Sequence, residues 1–214
     1  MNYKFKNHIK NNPFLTTLVS ETNKVIYMKC GRTAGTDIHR TLNQINVVEV
    51  SRPYFYGNGS DNWVENITDE EIKNDYFIFT FVRNPFERLI SGWNAFVSRG
   101  KVDNNFEKFI KHRGTGGYWL YEDGSISNDH WLPQSKYVEF DDDGGERFIN
   151  FAGKFENLEE DWKIVSEKIG IQNQIRKNKY RTTKEYYRSF YTDELIEIVS
   201  DFYKRDLELF NYEF

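Results

Sequence analysis

The chain has 214 residues, 38% hydrophobic and 17% aromatic, which fits a single domain over residues 1–214 with an ample core. A net charge of -4 excludes a general nucleic-acid binder, and the single cysteine, Cys30, excludes an internal disulfide and a cysteine-based metal site. No apolar run approaches the ~20 residues of a membrane span. The first dozen residues, MNYKFKNHIKNN, carry basic side chains with no apolar stretch behind them. No secretory signal is read there, residues 1–22 are expected to be a flexible or accessory segment, and the expected compartment is the cytoplasm. The sequons at Asn58 and Asn66 are then chance matches, and Asn58-Gly59 reads as a turn.

In chain order, the first strand signal is Lys24 to Lys29, followed by a glycine-containing turn and a helix over about Ala34 to Gln44. Val47 to Val50 reads as a second strand. Thr68-x-x-Glu71 is a capping box that opens a short helix. Tyr76 to Val82 is a β-branched and aromatic run, the strongest strand signal present. It leads into Asn84-Pro85, an N-cap with proline at the first helical position, and then into the apolar face Phe86, Leu89, Ile90, Trp93, Phe96. Residues 114–145 are turn-rich and expected to be irregular or hairpin-like. Leu158 to Ile169 and Thr192 to Leu209 are helical by periodicity. Strands alternating with helices predict an α/β fold around a parallel sheet.

Charge is unevenly spread. Arg176, Lys177, Lys179, Arg181, Lys184 and Arg188 stand against one acid, Glu185, which calls for an anionic partner or for solvation. The acidic run Asp141-Asp142-Asp143-Gly144-Gly145-Glu146 has no calcium-loop spacing and reads as a solvated turn.

Two strand-to-helix junctions hold the chemistry. The first runs from Met28 through Lys29, Cys30, Gly31, Arg32, Thr33, Ala34, Gly35 and Thr36 to Asp37. Such a turn can aim backbone N–H groups and a positive helix end at an anion, with Lys29 and Arg32 adding charge and Thr33 and Thr36 adding hydroxyls. The alternative is an ordinary turn. It is no Walker A loop, since the glycines are spaced Gly-x-x-x-Gly and no Gly-Lys-Ser/Thr follows. At the second junction Arg83 leaves the C-terminal end of a strand, the edge where α/β sheets take ligands. Ser91 follows a little over two helical turns later. A guanidinium with a serine hydroxyl suits a phosphate monoester. Arg88 sits elsewhere on that helix and is expected to be solvated or salt-bridged.

Arg32-Thr33-Ala34-Gly35-Thr36-Asp37 and Val82-Arg83-Asn84-Pro85-Phe86-Glu87-Arg88-Leu89-Ile90-Ser91 together resemble the 5′-phosphosulfate loop and the 3′-phosphate motif of the sulfotransferases, in the bacterial and carbohydrate branch. Three further segments are similar in the same order: His130-Trp131-Leu132-Pro133-Gln134, Phe155 to Asp161, and the tail from Tyr191 to Tyr212. Arg181-Thr182-Thr183-Lys184 also resembles a cofactor-contacting stretch of the uronyl 2-O-sulfotransferases. The resemblance implies a P-loop-like three-layer fold, a mainly parallel central sheet flanked by helices. It implies transfer of a sulfuryl group from 3′-phosphoadenosine 5′-phosphosulfate (PAPS) to a hydroxyl of an acceptor, with a carbohydrate favoured over a lipid or small alcohol, and with no metal. Lys29, Arg32, Thr33, Ala34, Gly35, Thr36 and Asp37 would hold the donor's 5′ end. Arg83 and Ser91 would hold its 3′-phosphate, with Arg181, Thr182 and Thr183 closing over it. The family's loop lysine falls at Arg32, which is bulkier and always charged, so Lys29 is a second candidate for that role. His130 is the expected general base, against a structural histidine, with Asp129 next in line. The competing expectations are a P-loop nucleotide kinase and a nucleotide-binding module without turnover.

Overall fold

The computed structural model describes residues 15–50, 67–112, 128–139, 149–175 and 183–214. Arg181, Thr182, the acidic run at 141–146, the Asn58 turn, most of the 114–145 segment and most of the basic stretch lie outside the described residues. The described chain forms two compact units, one of residues 1–82 with 136–177 and the other of residues 83–135 with 178–214.

The first unit is built on a five-stranded sheet in the order β3-β1-β2-β4-β5. Its strands are β1 (Thr16–Ser20), β2 (Val25–Lys29), β3 (Val48–Val50), β4 (Phe77–Val82) and β5 (Phe151–Lys154). Strands β2, β4 and β5 are parallel, with Met28 opposite Thr80 and Val82 opposite Lys154. β1 extends the sheet antiparallel as a hairpin with β2, and β3 pairs antiparallel with β1. The expected α/β class with a central sheet flanked by helices is what forms. The parallel half carries the crossovers, as parallel strands require.

One sheet face presents Leu18, Val25, Tyr27, Phe79 and Phe81 to helix α1 (Gly35–Leu42) and to a later helix, Leu158–Ile169, which supplies Leu158, Trp162, Val165 and Ile169. Ile26, Met28, Ile78 and Val82 on the opposite face are buried too, which is why β2 and β4 read as unbroken apolar runs. Helix α2 (Asp69–Asp75) opens on the expected capping box: the Thr68 N–H donates to Glu71 Oε2 at 2.8 Å, and the Glu71 N–H to Thr68 Oγ1 at 3.1 Å.

β1 falls inside the 1–22 stretch expected to be flexible or accessory, and all five of its residues are buried. β5 (FAGK) is the other strand the sequence did not announce.

The second unit is helical. Helix α3 (Pro85–Val97) begins where sequence placed it, with Asn84 Oδ1 accepting from the Phe86 N–H at 3.0 Å. Its face of Phe86, Leu89, Ile90, Trp93 and Phe96 packs with α4 (Phe106–Lys111), with Trp131 of α5 (Asn128–Trp131) and with the C-terminal helices. In chain order α6 is Leu158–Ile169, as expected, and α7 is Lys184–Arg188. The single helix expected over Thr192 to Leu209 is two, α8 (Asp193–Phe202) and α9 (Lys204–Phe210), broken at Tyr203 where ψ rises to 19°.

Candidate active site

At the first junction two residues other than glycine take the left-handed conformation, Arg32 at φ 67° and Ala34 at φ 63°. Each costs a side-chain-bearing residue about 1–2 kcal/mol, a strain that concentrates at ligand-holding turns. Thr33 is fully buried, and its hydroxyl donates to the Cys30 carbonyl at 2.8 Å, closing the turn. That hydroxyl proton serves the turn, so Thr33's contribution toward a ligand narrows to its N–H. Ala34 is the N-cap of α1 and offers no side-chain cap. Its carbonyl accepts both the Asp37 and Ile38 N–H groups, at 2.9 and 3.1 Å. The amides of Gly35 and Thr36 precede these at the helix start, where an α-helix has no acceptor of its own for them. A helix opening of this kind favours an anion.

Lys29, the last residue of β2, lays its side chain across this opening. A Cβ at Gly35 would stand 3.0 Å from both Cγ and Cε of Lys29, so glycine is what lets the lysine pass. His39, one turn into α1, is held below its usual pKa by partial burial and then by the Lys29 charge, against a smaller opposite pull from Glu49. Lys29 therefore joins Arg32 as cationic surroundings for the loop. Asp37 is exposed and pairs with Arg40 at 3.1 Å, which partly offsets its own negative charge.

At the second junction Arg83 is 2% exposed and its guanidinium donates to Glu87 Oε1 at 2.8 Å. The pair sits one helical turn apart, and the carboxylate orients the donor fork. The Arg83 backbone is held as well: its N–H donates to Gln134 Oε1 at 2.7 Å and its carbonyl accepts from Gln134 Nε2 at 2.8 Å. Asp206, fully buried, accepts the N–H groups of Gln134 and Ser135, both at 2.7 Å. Burial pushes the Asp206 carboxyl up, against those two amides and the nearby Arg88 charge. Arg88 is thus no solvated residue: it is 1% exposed, beside an acid 118 positions away in the chain (206 less 88).

Ser91 lies half-buried on α3, two turns past Asn84. Thr183 is exposed and N-caps α7, accepting from the Tyr186 N–H at 3.2 Å. His130 is half-buried, its ring 4.8 Å from that of Phe96. Sequence reasoning did not single out Gln134 and Asp206 as the groups that hold the Arg83 backbone and its support. Both stand in segments singled out for their resemblance, and no titratable or nucleophilic signal marks the glutamine.

The fold is α/β, and these two strand-to-helix turns gather its backbone amides, lysine and arginine donors. The sulfotransferase family profile matches residues 15–213, and the chain belongs to that family. Carbohydrate sulfotransferase 14 of Danio rerio is 26% identical over 186 residues, 70% of this chain and 48% of that protein. The chain thus spans about half the length of this curated relative. An uncharacterized protein of Archaeoglobus fulgidus is 26% identical over 113 residues, 52% of this chain and 82% of that one. No solved structure gives a significant match. Among the described residues no helix is long and apolar enough to cross a membrane.

Proposed function

We propose that residues 1–214 act as a single PAPS-dependent sulfotransferase domain that sulfates a hydroxyl, with a carbohydrate the favoured acceptor. The observation that carries this reading is the first junction: paired left-handed residues, a helix opening without a side-chain cap and the Lys29 chain across it. That donor set of amides and cations fits the 5′-phosphosulfate end of a nucleotide. Family membership and the name of the zebrafish relative support the reaction and the acceptor class.

In this reading the donor supplies an activated sulfuryl group whose bond to the 5′-phosphate breaks as the acceptor oxygen attacks. Arg32, Lys29 and the amides from Thr33 to Thr36 bind the 5′ end, with Asp37 closing the loop, and they stabilise charge as it builds on the departing phosphate. Arg83, oriented by Glu87, takes the 3′-phosphate with Ser91, and Arg181, Thr182 and Thr183 border it. His130 accepts the acceptor's hydroxyl proton, and Phe96 against its ring limits how it can turn. Positioning and fixed charge suffice for such in-line transfer, so the reading needs no metal. It keeps the cytoplasm as the compartment.

Titration calorimetry tests it directly. The wild type should bind 3′,5′-bisphosphoadenosine far more tightly than 5′-AMP, and Arg83→Ala should remove most of the difference, about 2–4 kcal/mol. Equal affinity for the two nucleotides, or tight binding of ATP with magnesium instead, sinks the assignment. Transfer from labelled PAPS separates an enzyme from a binding module.

A further inference from the structure

β4 ends at Val82, and Arg83 is the first residue beyond the ladder that pairs β4 with its neighbours. In extended backbone a residue's own N–H and C=O face the same side, and a neighbouring strand normally satisfies both. For Arg83 one carboxamide does this, since Gln134 accepts from the N–H and donates to the carbonyl. Gln134 acts as a strand one peptide long. Among side chains that do not titrate, only asparagine and glutamine carry donor and acceptor on the same planar group.

The glutamine is itself held. It is fully buried, and Asp206 takes its N–H and that of Ser135, one on each carboxylate oxygen. Gln134 Nε2 also lies 3.4 Å from Asp206 Oδ2, so the same acid steadies the carboxamide. One turn earlier, the Tyr203 hydroxyl donates to the Trp131 carbonyl at 2.7 Å. Tyr203 and Asp206 thus grip the 131–135 segment from both ends. An apolar side chain at 134 would fill this space at less desolvation cost, and a buried carboxylate is a costly anchor.

What the arrangement fixes is Arg83, whose backbone is set by Gln134 and whose guanidinium is set by Glu87. A guanidinium read against a phosphate gains selectivity only when held to within about 0.5 Å. We propose that Gln134, anchored by Asp206, is a positioning residue that aims Arg83 and so sets selectivity for a 3′-phosphorylated nucleotide. This rests on the proposed function, which makes Arg83 the reader of that phosphate.

The experiment measures affinity for 3′,5′-bisphosphoadenosine and for 5′-AMP by calorimetry in the wild type, Gln134→Met and Gln134→Glu, with melting temperature recorded for each. Gln134→Met should lose about 10-fold or more in bisphosphate affinity while 5′-AMP affinity changes less than about 2-fold. Gln134→Glu adds a readout that a scaffold role does not move. A protonated glutamate still offers one donor and one acceptor, whereas an ionised one offers acceptors only. Relative to the wild type at each pH, its selectivity should therefore recover on acidification and fall as pH rises, and this variant answers the question if the methionine variant does not fold. Selectivity unchanged in a folded variant, or both affinities falling together with melting temperature, overturns the proposal while leaving wild-type discrimination intact. A wild type that does not discriminate overturns the functional reading instead, and the role of Gln134 with it.

Discussion

The turn from β2 into α1 is closed by bonds between residues three or four apart, Thr33 to Cys30 and Asp37 and Ile38 to Ala34. The turn from β4 into α3 is closed from far away, by Gln134 at a separation of 51, and by Asp206, which lies 72 beyond Gln134. The first site stores strain in its own backbone, at Arg32 and Ala34. The second has no left-handed residue at Arg83 and carries its cost in buried polar groups brought together by tertiary structure. Two turns on the same kind of strand-to-helix scaffold are thus made by opposite means, one local and one distributed.

Substitutions should separate the two constructions. The largest effect is expected from Asp206→Ala, which leaves two buried amides without their acceptor and removes an acid near the buried Arg88 charge. It should cost about 3–5 kcal/mol in urea unfolding. A loss under 1 kcal/mol would mean the second junction does not depend on its distant anchor. Gly92→Ala comes next, because the new methyl would stand 2.6 Å from Trp131 Nε1. Overpacking of about 1–3 kcal/mol should appear in the melting temperature, with the 131–135 segment shifted as a result.

A pH series should give a smaller change. The Asp206 carboxyl titrates above its ordinary value of 3.8 in the folded chain because burial disfavours the anion. Between the unfolded and folded values the native state holds a proton that the unfolded chain has released. Stability from this group is therefore lost as pH rises through the folded pKa and gained on acidification toward 4. Asp206→Asn lacks the slope, so urea midpoints of the two proteins should draw apart in the wild type's favour as pH falls. The smallest effect belongs to the local junction. Ala34→Gly relieves the left-handed strain but adds chain entropy in the unfolded state, for a net gain of at most about 1 kcal/mol by thermal unfolding. A loss instead would show that the turn's shape is imposed from outside it.

The same contrast explains what the sequence disclosed. The Thr68 box, the Asn84-Pro85 start and the limits of α6 are local signals, and each stands where it was read. β5 contains alanine and glycine, poor strand formers, and becomes a strand because Gly153 fits under the Phe81 ring beside β4. β1 is five residues long, two of them threonine, and pairing on both sides makes it a strand. The turn over Lys29 to Thr36 was legible because its glycines and the helix that follows are adjacent in sequence. For Arg88 the sequence left solvation and an acidic partner both open, and only the fold, which brings Asp206 near it, decides for the second. Gln134 was quoted only as part of a motif, since a neutral amide announces no chemistry until its partners are known.

The reach of those contacts also orders events on the ribosome. A chain made from its N-terminus has every residue of the β2–α1 turn and of the β4 strand beside it once residue 82 has emerged. The clamp on Arg83 waits for Asp206, made 124 residues after Val82 (206 less 82). Nascent chains stalled short of that position would carry the first turn closed and the second unclamped, and, on the proposed reading of Arg83, a 3′-phosphate should distinguish them from chains that extend past Asp206.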